Sequence, residues 1–197
     1  MKQLNEKLVV GEYFYPYADK VKDKLYSFIK SFPNEGNPGG SLANNPFIIT
    51  RRNLYNYKEV ELLLQWITQI VNRDFCNPFP QYSYQVHSDY DLKCYEMWGI
   101  TYKKGGYISP HSHNPNTYSF SYNLNIPKNS PPLVFTSSGY KVKPKEGQLI
   151  IFESRLLHHV PQSKVDDRCV ISGCFGKTRD EIYTTSLVQD YQFDSSN

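Results

Sequence analysis

The chain has 197 residues, 39% of them hydrophobic and 21% charged, with a formal net charge of +3. This suits one globular domain with a real core and excludes a tail of like charges; no basic run is longer than a pair such as Arg51–Arg52, so a nucleic-acid partner is not indicated. No stretch approaches the roughly 18 apolar residues of a membrane span, and "MKQLNEKLVVGEYFYPYADK" has no apolar signal region, so a soluble, cytoplasmic protein is expected.

In chain order, "DKVKDKLYSFIKSF" (19–32) predicts a helix. Val21, Leu25, Phe28, Ile29 and Phe32 share a face, and Asp19 is the candidate N-cap. Residues 32–47 read as a long turn-rich loop. Within it 33–46, with Gly36, Gly39 and Gly40, could form a substrate lid or a plain surface loop. "NYKEVELLLQWITQIVNR" (56–73) predicts a second helix, with Asn56 and Glu59 as a capping box and a stripe of Val60, Leu63, Leu64, Ile67 and Ile70. Both stripes read as core.

Beyond residue 80 the pattern becomes that of short strands, at 93–104, 117–127, 132–136, 140–144, 147–153 and 168–176. In "YSFSYNLNI" Tyr118, Phe120, Tyr122, Leu124 and Ile126 face one way, Ser and Asn the other. With aromatics at 15%, the expectation is a β-sandwich or barrel preceded by helices. Cys76, Cys94, Cys169 and Cys174 have no zinc-like spacing and are expected to be reduced thiols.

Four of the five histidines fall in two places, "PHSHN" and "LLHHVP". Residues i and i+2 of a strand share a face, so His111 and His113 could reach one metal, with His158 supplied by a second strand. The bland reading is a polar loop. His87 stands apart. Arg168 opens the last strand pattern, and an arginine entering a barrel requires an anion, for which its fork suits a carboxylate. The alternatives are an internal ion pair with Asp166 or Asp167, or a place on the rim. Ser172 would share its strand face.

From Trp98 to Phe175 the ordered set "MWGITYKKGGYISPHSH", "YSFSYNLNIP", "KVKPKEGQLIIFESRLLHHVPQS" and "DDRCVIS" resembles the iron(II)- and 2-oxoglutarate-dependent oxygenases. The resemblance is to their prolyl-hydroxylase-like branch, and within it to bacterial and phage oxygenases whose first pair reads His-x-His. It implies a mainly β fold, a double-stranded β-helix (jelly-roll, cupin-like) barrel buttressed by the two helices. It also implies a single domain over 1–197: helical support at 1–80, jelly-roll core at 81–180 and a C-terminal extension at 181–197.

The resemblance assigns Fe(II) to His111, His113 and His158, and 2-oxoglutarate (2OG) to Arg168, with Tyr102, Ser172 and Tyr122 as candidate hydroxyls. His159 would lie behind the site or on the surface. Partners would be 2OG, dioxygen and an unknown peptide or small-molecule substrate. The chain departs from the family where His113 takes the place of the usual carboxylate, although Asp89, Asp91 and Glu153 are carboxylates a fold could bring in. Two other readings stay open: a three-histidine cupin-type dioxygenase without 2OG, and a non-catalytic jelly-roll binding protein.

Overall fold

The computed structural model describes residues 10–33, 47–76 and 92–176. Two antiparallel sheets dominate it. The strands are β1 (Val10–Phe14), β2 (Phe47–Ile49), β3 (Lys93–Tyr102), β4 (Ile108–His111), β5 (Tyr118–Asn125), β6 (Leu133–Phe135), β7 (Tyr140–Val142), β8 (Gln148–Glu153), β9 (His158–Val160) and β10 (Arg168–Gly176). The larger sheet runs β1-β8-β5-β10-β3-β2 and the smaller β4-β9-β6-β7. Two helices, α1 (Ala18–Lys30) and α2 (Glu61–Ile70), cover the outer face of the larger sheet. Among the described residues no helix is long and apolar enough to cross a membrane.

Period-two patterning decides which side chains meet which layer. Met97, Phe120, Tyr122, Ile151 and Ile171 pack outward against Leu25, Ile29, Leu63 and Ile67 of the helices. Trp98, Ile100, Tyr102, Ile150, Phe152 and Val170 point into the barrel. Strand β8 is covered on both faces, which is why "QLIIF" is a continuous apolar run rather than an alternating one.

The helices differ from the sequence expectation at their starts. α1 begins at Ala18, with Asp19 inside its first turn rather than capping it. The predicted second helix breaks into 3-10 turns at Leu54–Asn56 and Lys58–Val60 before α2, and the Asn56–Glu59 capping box does not form. Tyr57 is extended between those turns, wedged against Phe28 and Phe32 with ring centres 5.5 and 5.4 Å away. That aromatic contact overrides the local capping signal. The apolar stripe itself faces the core as expected, with Val60, Leu63, Ile67 and Ile70 buried. The helical region also contributes the sheet-edge strands β1 and β2, which sequence periodicity did not separate from their surroundings.

The candidate lid at 33–46 lies, apart from Pro33, outside the described residues; so do His87, Asp89, Asp91 and the segment 181–197. Cys94, Cys169 and Cys174 are free thiols.

Candidate metal centre and co-substrate pocket

Strand β4 ends at His111, opposite His158 of β9 in the register of the smaller sheet. His113 lies just past the strand end, tied by its backbone N–H to the Ser154 carbonyl at 2.8 Å. The three rings converge, with centres 4.4 Å (His111–His158), 4.8 Å (His111–His113) and 5.1 Å (His113–His158) apart. One nitrogen from each lies within 4.8 Å of the others. A metal with bonds of about 2.1 Å would draw them to about 3 Å of one another, a change small side-chain rotations can supply.

Second contacts set the ring tautomers. His111 Nδ1 donates to the Ser109 carbonyl and His158 Nδ1 to the Leu156 carbonyl, each at 2.8 Å, which leaves Nε2 of both as the free lone pair. Burial holds all three imidazoles neutral: His111 titrates below its ordinary value, His113 is lowered to about 3 and His158 to about 4, with like charges in the cluster adding to the effect. Three neutral imidazoles, two of them with the tautomer fixed, are a donor set that a divalent transition metal takes. No carboxylate joins them among the described residues: Glu153 accepts from Arg155 Nε at 2.7 Å instead. His159 points the other way along β9 and shares a hydrogen bond with Thr136 through Nδ1 at 2.9 Å, as the alternation requires.

The histidines open onto a cavity of about 430 Å³ whose wall also carries Tyr102, Arg168, Val170 and Ser172. Arg168 is 2% exposed, and its Nε and Nη1 are buried without a hydrogen-bond partner among the described residues. Neither neighbouring aspartate reaches it. Asp166 accepts the Lys104 backbone N–H at 2.9 Å, and Asp167 pairs with Lys30 at 3.3 Å. The guanidinium instead lies 4.6 Å from the centre of the Tyr102 ring, directly across the β10–β3 pairing. Burial raises the Tyr102 hydroxyl pKa and Arg168 opposes the rise, so the phenol stays a neutral donor. A buried cation with unmet donors costs several kcal/mol unless an anion arrives, and a carboxylate fits the fork. The residues therefore fit both a divalent metal and the distal carboxylate of 2OG.

Tyr122 is a correction. It sits on the helix-facing side of β5, 1% exposed and edge-on to Tyr15 at 6.3 Å, and does not line the cavity. The apolar face of "YSFSYNLN" packs against the helices, and its serine and asparagine face turns into the barrel. Ser121, opposite Ser172, lines the cavity from β5, as does part of Phe120. Sequence reasoning missed Arg52, Glu96 and Trp98. Glu96 and Trp98 share the inward face of β3 with Tyr102, so period two could have found them; Arg52 carries no such signal.

No protein-family profile matches the sequence, and no curated protein does. Solved structures do resemble the fold. A viral collagen prolyl hydroxylase from Paramecium bursaria Chlorella virus-1, solved as a 2OG complex, superimposes with a TM-score of 0.63 at 14% identity, over 86% of this chain and 96% of that one. A Pseudomonas putida prolyl-4-hydroxylase gives 0.61 at 19% identity, over 86% and 92%. HygX from Streptomyces hygroscopicus, with nickel and 2OG bound, gives 0.56 at 11% identity, over 86% and 84%. The fold is the double-stranded β-helix of the 2OG–Fe(II) oxygenases. At these identities the likeness carries the fold, and the function must be argued from the site.

Proposed function

We propose that this protein is an Fe(II)- and 2OG-dependent oxygenase that hydroxylates a C–H bond of a peptide or small-molecule substrate. The observation that carries the reading is Arg168: a buried guanidinium with two unmet donors, on the wall of the cavity that the three histidines share. A three-histidine dioxygenase without 2OG, or an inert jelly-roll, has no use for that charge.

In this reading His111, His113 and His158 hold Fe(II) through one nitrogen each. Arg168 receives the distal carboxylate of 2OG through Nε and Nη1, and the neutral Tyr102 hydroxyl donates to the same group. Ser172, on the same strand face, adds a further hydroxyl. Val170, Ile100 and Phe152 exclude water from the walls. When bound together, iron and 2OG supply oxidation of the substrate by dioxygen, with decarboxylation of 2OG to succinate. Because His113 stands where a carboxylate is usual, the centre keeps a higher positive charge.

The test is anaerobic Fe(II) titration with and without 2OG, following the weak visible band of their chelate. The band is expected to need both components, to weaken in Arg168→Ala and to vanish in His113→Ala. Iron binding without a band under saturating 2OG would favour the three-histidine alternative. Absence of metal binding would return "PHSHN" to a polar loop.

A further inference from the structure

The cavity holds a second guanidinium that the proposed chemistry leaves without a task. Arg52 follows β2 and is anchored by its carbonyl, which accepts the Met97 N–H at 2.8 Å. Its guanidinium carbon lies 4.7 Å from the centre of the Trp98 ring, and that ring lies 5.6 Å from His113. Nη1 donates to Glu96 Oε2 at 3.2 Å, and Glu96 is the one side chain among the described residues that Arg52 hydrogen-bonds. An arginine has five N–H donors, and this one keeps 40% of its side chain exposed.

Stiffening of the wall is a weak account of this arrangement, because a half-exposed ion pair contributes only about 0–1 kcal/mol. Charge makes a stronger one. Among the described residues, Arg52, Arg168 and Glu96 are the Arg, Lys, Asp and Glu side chains that line the cavity, so guanidiniums outnumber carboxylates there. A divalent cation and doubly negative 2OG cancel, and the imidazoles are neutral. The loaded cavity therefore keeps one surplus positive charge beside low-dielectric walls, a field that concentrates anions. Arg52 is where that surplus can be met. Arg168 is committed to 2OG, whereas Arg52 has donors without a partner among the described residues and a guanidinium braced on the indole, so its fork is pre-organised for a carboxylate.

We propose that the substrate carries a carboxylate, and that Arg52, braced by Trp98 and Glu96, receives it and orients the substrate beside the histidine cluster. Asn114 and Asn116 line the same cavity without charge and cannot replace it as the discriminator between an acid and its amide. The inference rests on the 2OG reading of Arg168.

The chain has two tryptophans, so Trp66→Phe leaves Trp98 as the sole tryptophan, excited selectively over the tyrosines at the red edge of its absorption and packed against Arg52. That protein, loaded with redox-inert Zn(II) and saturating 2OG, is titrated with a panel of small carboxylic acids and of peptides with a free C-terminal carboxylate, each beside its primary amide. Acids are expected to change Trp98 emission and to bind about tenfold or more tighter than their amides, the scale of a charge-assisted hydrogen bond. Adding Arg52→Met should abolish the preference, and Arg52→Lys should keep part of it, with 2OG binding intact in both. Which arm gives the tighter acids separates a small-molecule from a peptide substrate. Equal binding of acids and amides, no acid binding, or a preference that survives Arg52→Met would overturn the proposal. The 2OG-induced thermal shift is read first in each sample. Its loss would remove the reading of Arg168, whereas an intact shift with no acid preference removes the Arg52 inference alone.

Discussion

Arg168 begins β10 with its charge turned into the barrel, while Asp166 and Asp167 turn to Lys104 and Lys30. Replacing it by methionine removes an unpaired buried cation and keeps an unbranched, apolar side chain. Arg168→Met is therefore expected to raise the thermal midpoint of metal-free, 2OG-free protein while weakening 2OG at least about thirtyfold, the cost of truncating a buried charged pair. Calorimetry and 2OG titration of one preparation check both signs; a lowered midpoint would mean that the charge is already satisfied. The histidines give a pH prediction. Burial in the folded chain lowers His113 to about 3 and His158 to about 4, whereas an unfolded imidazole titrates at ~6.5. Below that value the unfolded state takes up protons that the folded state refuses, so metal-free stability falls from about pH 6.5 towards the folded values. Urea midpoints at neutral and mildly acidic pH should drop less in a His113→Asn, His158→Asn double variant; equal drops would assign the loss to other groups.

Among the elements, α1 packs closely on β3, a strand that positions the site. A Cβ at Gly99 would lie 2.6 Å from Ile29 Cγ2 and 2.8 Å from Cδ1, so the helix approaches the sheet as closely as glycine permits. Gly99→Ala should cost about 1–3 kcal/mol. In a double-mutant cycle with Ile29→Ala the costs should be markedly non-additive, measured by denaturant unfolding. The same strand carries Glu96, Trp98, Ile100 and Tyr102 into the cavity on its other face, so displacement of α1 should also weaken 2OG binding. Element type was readable for the longer patterns, where both helical stripes and all six expected strands have counterparts; the short β2, although Phe47 and Ile49 are buried, was not. What sequence could not supply was which layer each face meets. Tyr122 belongs to an apolar set, and such a set fits the helix layer as well as it fits a barrel lining, so its assignment to the pocket failed. Tyr102, on an equally apolar run, lands in the pocket because β3 pairs with β10 in the register that opposes it to Arg168.

For the molecule as a whole, metal and 2OG should act as linked ligands of the folded state alone. Each is expected to raise the unfolding free energy by about 2.7 kcal/mol at a hundredfold excess over its Kd. The 2OG increment should grow when metal is present, because the two meet in one cavity. Arg168→Met should keep the metal increment and lose the 2OG increment; loss of both would place the fault in the fold rather than the pocket. The histidine cluster was legible at this scale because "PHSHN" and "HHVP" are compact signals that the small sheet closes on one another. Arg52 was not, because it reaches the cavity from a short irregular segment whose place depends on a bridge between Asn53 and Met97, distant in sequence.

The pairing of Arg168 with Tyr102, and of His111 with His158, fixes two anchor points on separate strand pairs of a stiff barrel. Together they act as a ruler. On the proposed reading, a 2-oxo diacid would be gauged by the span between its chelating end and its far carboxylate, so chain length rather than acidity would decide entry. Oxaloacetate, one carbon shorter, and 2-oxoadipate, one carbon longer, should compete poorly with 2OG even though both carry the same functional groups. Arg168→Lys, with a shorter side chain, would widen the span to be bridged and shift that ranking towards 2-oxoadipate before it abolished binding.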